Sequence, residues 1–121
     1  MIQGMRSVIY PVDDLLKGKD WYAKVLGCAP YFDEPFYVGF SVGGFELGLV
    51  PDGTPGAQGA KAYWGVTDAK AELTRLLNLG GATHEAVTDV GGGIKVAAVR
   101  DPFGNVFGII ENPHFKPQDV R

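Results

Sequence analysis

The chain reads as an α+β protein of two βαβββ modules, and three observations predict that class. A helix segment at 14–27 is answered by another at 68–80. Each is preceded by one short apolar run and followed by three, all bounded by turn residues. Finally, Asp101-Pro102-Phe103-Gly104-Asn105 leads straight into Val106-Phe107-Gly108-Ile109-Ile110, with a looser echo at Gly43-Gly44-Phe45-Glu46-Leu47-Gly48-Leu49-Val50. Proline sets one backbone angle of such a turn, glycine permits a left-handed one, and Asp and Asn bond nearby amides.

Module one spans about 6–51. A strand over 8–12 contains Pro11, which suits an edge or a bulge. Asp13 or Asp14 can cap a helix running to Leu26, with Leu15, Trp21, Tyr22 and Val25 as most of its apolar stripe and Gly27 as its stop. Strands follow at 29–32, 36–41 and Phe45–Val50, with Gly43-Gly44 turning between the last two. The loop composition of 51–59 marks a linker.

Module two, about 60–111, repeats the order. Lys61–Val66 reads as a strand, Thr67 or Asp68 caps a helix carrying Leu73, Leu76 and Leu77, and Gly80-Gly81 ends it. Strands fit 83–87, 94–99 and Val106–Glu111, with Gly91-Gly92-Gly93 between the first two, and a tail occupies 112–121. A module of about 50 residues buries too little surface to stand alone. The pair is expected to form one domain, a cupped mixed sheet with helices on its outer face and a concave face left for a ligand.

Composition excludes several function classes. At 121 residues, 45% apolar and 21% charged, the chain has globular composition and one core's worth of length. Its net charge of −3, with Lys and Arg spread singly, offers no basic stripe for nucleic acid and no polybasic membrane patch. No stretch reaches the ~20 apolar residues that span a bilayer. Cys28 is the single cysteine, so no internal disulfide can form, and a cytoplasmic setting is expected. Gly91-Gly92-Gly93 lacks the lysine and following helix of a phosphate loop.

Val12-Asp13-Asp14-Leu15, Trp21-Tyr22-Ala23-Lys24-Val25-Leu26-Gly27, Val66-Thr67-Asp68 and the Asp101–Asn105 turn occur in an order that resembles the vicinal-oxygen-chelate superfamily, the glyoxalase, bleomycin-resistance and extradiol-dioxygenase group. That resemblance implies paired modules forming a cupped sheet and a homodimer. It also implies either a divalent metal held with its substrate or a metal-free ligand. Metal-using members place a histidine on the first strand of each module and a glutamate on the last. Carried over, those positions fall at Ser7, Lys61, Leu47 and Gly108. A neutral hydroxyl, a protonated amine, an alkyl group and a bare backbone do not make a metal cage. Glu46 adjoins Leu47, and a bulge could turn it inward, but one carboxylate is not a set of ligands.

No metal and no cofactor are therefore expected. By the family register the cup face carries Ser7, Ile9, Leu47 and Leu49, with Glu46, Phe36 and Gly108 beside them as further candidates. Lys61 either reaches solvent or holds an acidic ligand at the rim; Tyr63 either stacks on a ligand or lines the core at the dimer side. Cys28 sits past a helix end, where the dipole does not favour a thiolate. The function expected is metal-independent binding of a small molecule, aromatic or acidic, by a homodimer, without a nucleic-acid or membrane partner. The alternative is a glyoxalase-like lyase, isomerase or dioxygenase with a displaced or subunit-shared site.

Overall fold

A computed structural model describes residues 1–56 and 58–119. Ala57 of the expected linker, and Val120 and Arg121 of the expected tail, lie outside the described residues. The elements are β1 (Ile2–Pro11), α1 (Leu15–Leu26), β2 (Phe32–Glu34), β3 (Tyr37–Val42), β4 (Phe45–Val50), β5 (Lys61–Val66), α2 (Ala69–Asn78), β6 (Ala82–Gly91), β7 (Ile94–Arg100) and β8 (Val106–Glu111). This is the α+β class read from the sequence. The strands form one mixed sheet in the order β2-β3-β4-β1-β5-β8-β7-β6.

Both helices start where an aspartate can cap them. The Asp14 carboxylate accepts the Lys17 amide at 3.1 Å, and that of Asp68 accepts the Ala71 amide at 3.0 Å. Gly27 ends α1 in the left-handed region at φ 73°, which an L side chain would strain. The Asp101 turn uses its aspartate fully: one carboxylate oxygen accepts the amides of Phe103 and Asn105, each at 2.8 Å, and the other accepts the Asn105 side-chain amide at 3.1 Å. Desolvation opposes ionisation there, but these donors outweigh it and hold the Asp101 carboxyl below its ordinary range.

Two compact units divide the chain, and β1 divides between them. The N-terminal unit comprises Ser7–Lys61 together with the chain from Lys116 onward, in the strand order β2-β3-β4-β1. Its core packs Val38, Phe40 and Leu49 with Leu47, Tyr10 and Val12 against Leu15, Tyr22, Ala23 and Leu26 of α1. The C-terminal unit comprises Met1–Arg6 and Ala62–Phe115, with the order β5-β8-β7-β6. There Val66, Ala69, Ala97 and Ile109 pack with Ile2, Val87 and Phe107 against Leu73 and Leu76 of α2.

Three strands differ by more than one residue at an end from the sequence reading. Strand β1 begins at Ile2 rather than at residue 8, because Ile2 joins the α2 core and the Gln3 side chain bonds the Thr67 hydroxyl at 2.8 Å. Strand β2 begins at Phe32, after Pro30, which has no amide hydrogen to offer a ladder. Strand β6 runs on to Gly91 with three register shifts against β7.

Candidate functional site

Alternation along paired strands decides which side chains leave the helix-covered face. In the N-terminal unit, Ser7 of β1 stands beside Glu46 of β4, and Ile9 beside Gly48. Gly48 in turn stands beside Gly39 of β3. Leu47 and Leu49 alternate with these residues and turn toward α1, where both join the core. The expectation that Leu47 and Leu49 share a ligand face with Ser7 and Ile9 is thus corrected by one residue, and Glu46 takes that place without a bulge. An offset of one in a strand exchanges its two faces.

Glu46 is gripped by two phenols. The Tyr37 hydroxyl donates to one carboxylate oxygen at 2.5 Å, and the Tyr31 hydroxyl donates to the other. Glycines make room for this. A Cβ on Gly39 would lie 3.0 Å from the Glu46 carboxylate and 3.1 Å from the Tyr31 ring. The Tyr37 hydroxyl stands where a Gly48 Cβ would be, with Ile9 Cδ1 closing the other side at 2.6 Å. Burial first, then the bond to Glu46 and its charge, hold the Tyr31 proton well above the ordinary phenol range. The Tyr31 phenol is therefore a neutral donor at neutral pH. Outside this cluster, Phe36 is 65% exposed and packs edge-on against Phe32, with centroids 6.0 Å apart. Lys61, at the start of β5, is half-buried.

The C-terminal unit carries a second cluster on the face away from α2. Tyr63 of β5 pairs with Gly108 of β8, Gly108 with Ala98 of β7, and Ala98 with Glu85 of β6. One row across four strands therefore reads Tyr63, Gly108, Ala98, Glu85. Tyr63 is only 9% exposed, and its ring covers Gly108, where a Cβ would fall 2.7 Å from Cδ1. Burial, with the Glu85 charge second, pushes the Tyr63 phenol up to about 12. Glu85 Oε1 is buried and has no hydrogen-bond partner among the described residues. Two residues further along β5, the Arg6 guanidinium covers Gly65 in the same way, with Cζ 2.6 Å from a notional Cβ, and stacks 3.8 Å from the centroid of Phe115.

The donor set of a metal site does not fit this chain. Ser7, buried beside Glu46, offers a hydroxyl where an imidazole would be needed, and the Tyr63 ring fills the space a carboxylate at 108 would need. Both histidines are exposed: His84 lies on β6, and the His114 ring bonds the Gly92 carbonyl at 2.7 Å. Among the described residues no three His, Cys, Asp or Glu side chains gather as a metal site would require.

The family model described as the Glyoxalase/Bleomycin resistance protein/Dioxygenase superfamily matches residues 4–109. The chain belongs to that superfamily. No curated protein matches it. Among solved structures it is similar to Streptomyces coelicolor methylmalonyl-CoA epimerase in complex with 2-nitronate-propionyl-CoA, at 12% identity and a TM-score of 0.77, covering 96% of this chain and 99% of that one. The Mycobacterium tuberculosis methylmalonyl-CoA epimerase is 18% identical, with a TM-score of 0.69 and coverage of 90% and 87%. A superfamily member from Vibrio splendidus gives 18%, 0.69, 89% and 99%. At these identities the likeness carries the fold alone.

Sequence reasoning did not reach Tyr31, Gly39, Gly48 and Glu85. For the glycines a signal existed: Tyr37, Gly39 and Glu46, Gly48 each alternate a large polar residue with a bare position on one strand face. No local pattern announced Glu85, because the register shifts on both sides of it come from the pairing with β7.

Proposed function

We propose that this superfamily member binds a small molecule without a metal ion. One observation carries the reading: the Tyr63 ring lies over Gly108, so the last strand offers an aromatic surface where a carboxylate ligand would have to stand. In each unit taken by itself, aromatic groups on the face away from the helix favour a ligand with an aromatic body, and Lys61 is the group that the N-terminal unit would offer to an acidic substituent. We further propose a homodimer, for which the exposed Phe32 and Phe36 on and beside edge strand β2 supply apolar contact area, and a cytoplasmic setting, in keeping with the unpaired Cys28.

Metal analysis of protein purified without chelator, joined to a thermal-shift screen, tests the reading. The expected result is no stoichiometric Zn, Ni, Mn or Fe, no large shift with divalent cations, and stabilisation by an aromatic compound. A stoichiometric transition metal held by this chain would overturn it.

A second reading rests on Glu46. A carboxylate braced by two phenol hydroxyls has the parts of a proton-transfer site, and the superfamily neighbours include epimerases. On that reading the chain is a lyase, isomerase or epimerase acting through Glu46. Deuterium exchange into candidate carbonyl substrates, with loss of the exchange in Glu46→Gln, is its test.

A further inference from the structure

We propose that Glu85 and Tyr63 form a recognition site for a protonated amine carried on the ligand, an ammonium group attached to an aromatic or apolar body. The inference rests on the metal-independent binding reading and names one chemical group that the ligand would bear.

Strand β6 supplies the main argument. Thr83 pairs with Val99 and Glu85 with Ala98, so two residues of β6 pass for one of β7. Between Glu85 and Thr88 three residues of β6 pass for two of β7, since Thr88 pairs with Val96. Val99 stands beside Phe107, and Phe107 and Val87 pack in the α2 core. Regular alternation through 83, 85 and 87 would therefore send Glu85 into that core as well. The two shifts put it out of phase with both neighbours and place it on the opposite face, in the row with Ala98, Gly108 and Tyr63. Bulges that re-aim one side chain are a recurrent device at binding and catalytic sites.

The chemistry of the row then selects the ligand. Glu85 Oε1 is buried and unbonded among the described residues, and Glu85 takes part in none of the described ion pairs. A buried carboxylate oxygen left in this way favours an N–H donor, and a cationic donor most of all. The Tyr63 ring, held against the bare backbone of Gly108, gives a π surface in the same row. A cation between a carboxylate and an aromatic face gains from both. Gly108 and Ala98, the two positions between Tyr63 and Glu85, carry the smallest side chains available, which lets the Tyr63 ring lie along the row over Gly108 on the side of Glu85.

The test titrates the full chain at pH 7 with benzylamine, benzyl alcohol and benzoate, followed by backbone amide NMR. Benzylamine is expected to bind, to move the Ala98, Gly108 and Glu85 amides, and to bind more tightly than the other two. Glu85→Gln, which keeps shape and removes charge, is expected to weaken benzylamine about 10-fold or more, as loss of a charged hydrogen bond does. Tyr63→Phe keeps the ring and is expected to weaken it by less than about 3-fold, because the π face remains. Undiminished binding to Glu85→Gln, equal binding of benzoate, shifts confined to other residues, or no benzylamine binding would each overturn the proposal. The last result, found with metal-free protein that an aromatic compound still stabilises, defeats this inference and leaves the broader reading standing. A stoichiometric metal defeats the broader reading whatever benzylamine does.

Discussion

Each unit sets a carboxylate and tyrosine on the face away from its helix, over glycine, but the two carboxylates are in opposite conditions. Glu46 accepts a phenol on each oxygen, whereas Glu85 has one buried oxygen with no partner among the described residues. In the N-terminal unit the polar capacity of the cluster is largely consumed by the protein itself. In the C-terminal unit some is left over. A buried group that the fold leaves unbonded is a better pointer to a ligand than one already satisfied.

The largest expected effects come from filling the glycine positions. Gly108→Ala sets a methyl 2.7 Å from the Tyr63 ring and 2.8 Å from the Ala62 carbonyl oxygen, part of the backbone. A destabilisation of about 3 kcal/mol is expected in urea unfolding. Gly48→Ala meets the Tyr37 hydroxyl and the end of Ile9, both on side chains that can shift, and about 2 kcal/mol is expected. If Gly48→Ala proves the more damaging, the N-terminal cluster is the more rigid of the two.

Isosteric neutralisation of the carboxylates gives a sharper contrast, because the signs should differ. Glu46→Gln weakens two phenol bonds and is expected to lower stability by about 1–2 kcal/mol. Glu85→Gln removes the charge of a half-buried carboxylate without breaking a described bond, and a neutral to slightly stabilising effect, up to about 1 kcal/mol, is expected. Calorimetry on both variants reads the difference directly. Equal losses would erase the distinction between satisfied and unsatisfied sites.

Alkaline titration probes the same pair through Tyr63. Its folded-state phenol lies near 12, against an ordinary value of 10.0. A group raised on folding contributes stability that is full below pH 10 and is lost as pH climbs from 10 through 12. Ultraviolet titration should show Tyr63 ionising late, and Glu85→Gln should bring it down only part of the way, because burial is the larger cause. The smallest effect belongs to Asp101, outside both clusters. Its folded-state value is depressed, so its contribution is present above the ordinary carboxylate range and is lost as pH falls through the folded value. Asp101→Asn should remove that acid-limb dependence and leave both clusters unaffected.

The elements were legible because their signals are local. Asp14, Asp68 and Gly27 cap helices through bonds and angles spanning a few residues, and the Asp101 turn closes within five. Tyr63 and Gly108, named from the family register, stand side by side across β5 and β8. The facing of Leu47 and Leu49 was not legible, since it depends on which residue of β4 meets Ser7 across a parallel ladder. Tyr31 lies before β2, in a segment read as strand, and its amide instead donates to the Gly39 carbonyl at 2.9 Å. Glu85 depended on pairing irregularities that have no one-dimensional signature.

The division of β1 between the units bears on how the molecule is assembled. Its opening residues belong with a body whose remaining parts begin more than fifty positions downstream, as the bond from Gln3 to Thr67 marks. On the ribosome, those first residues emerge long before the segment that receives them. Most of the N-terminal unit is one continuous stretch of chain, while the other waits for a distant return and closes late, as contacts of high sequence separation do. Substitutions that weaken the contacts of Ile2 or Gln3 are therefore expected to disturb the half of the protein made last.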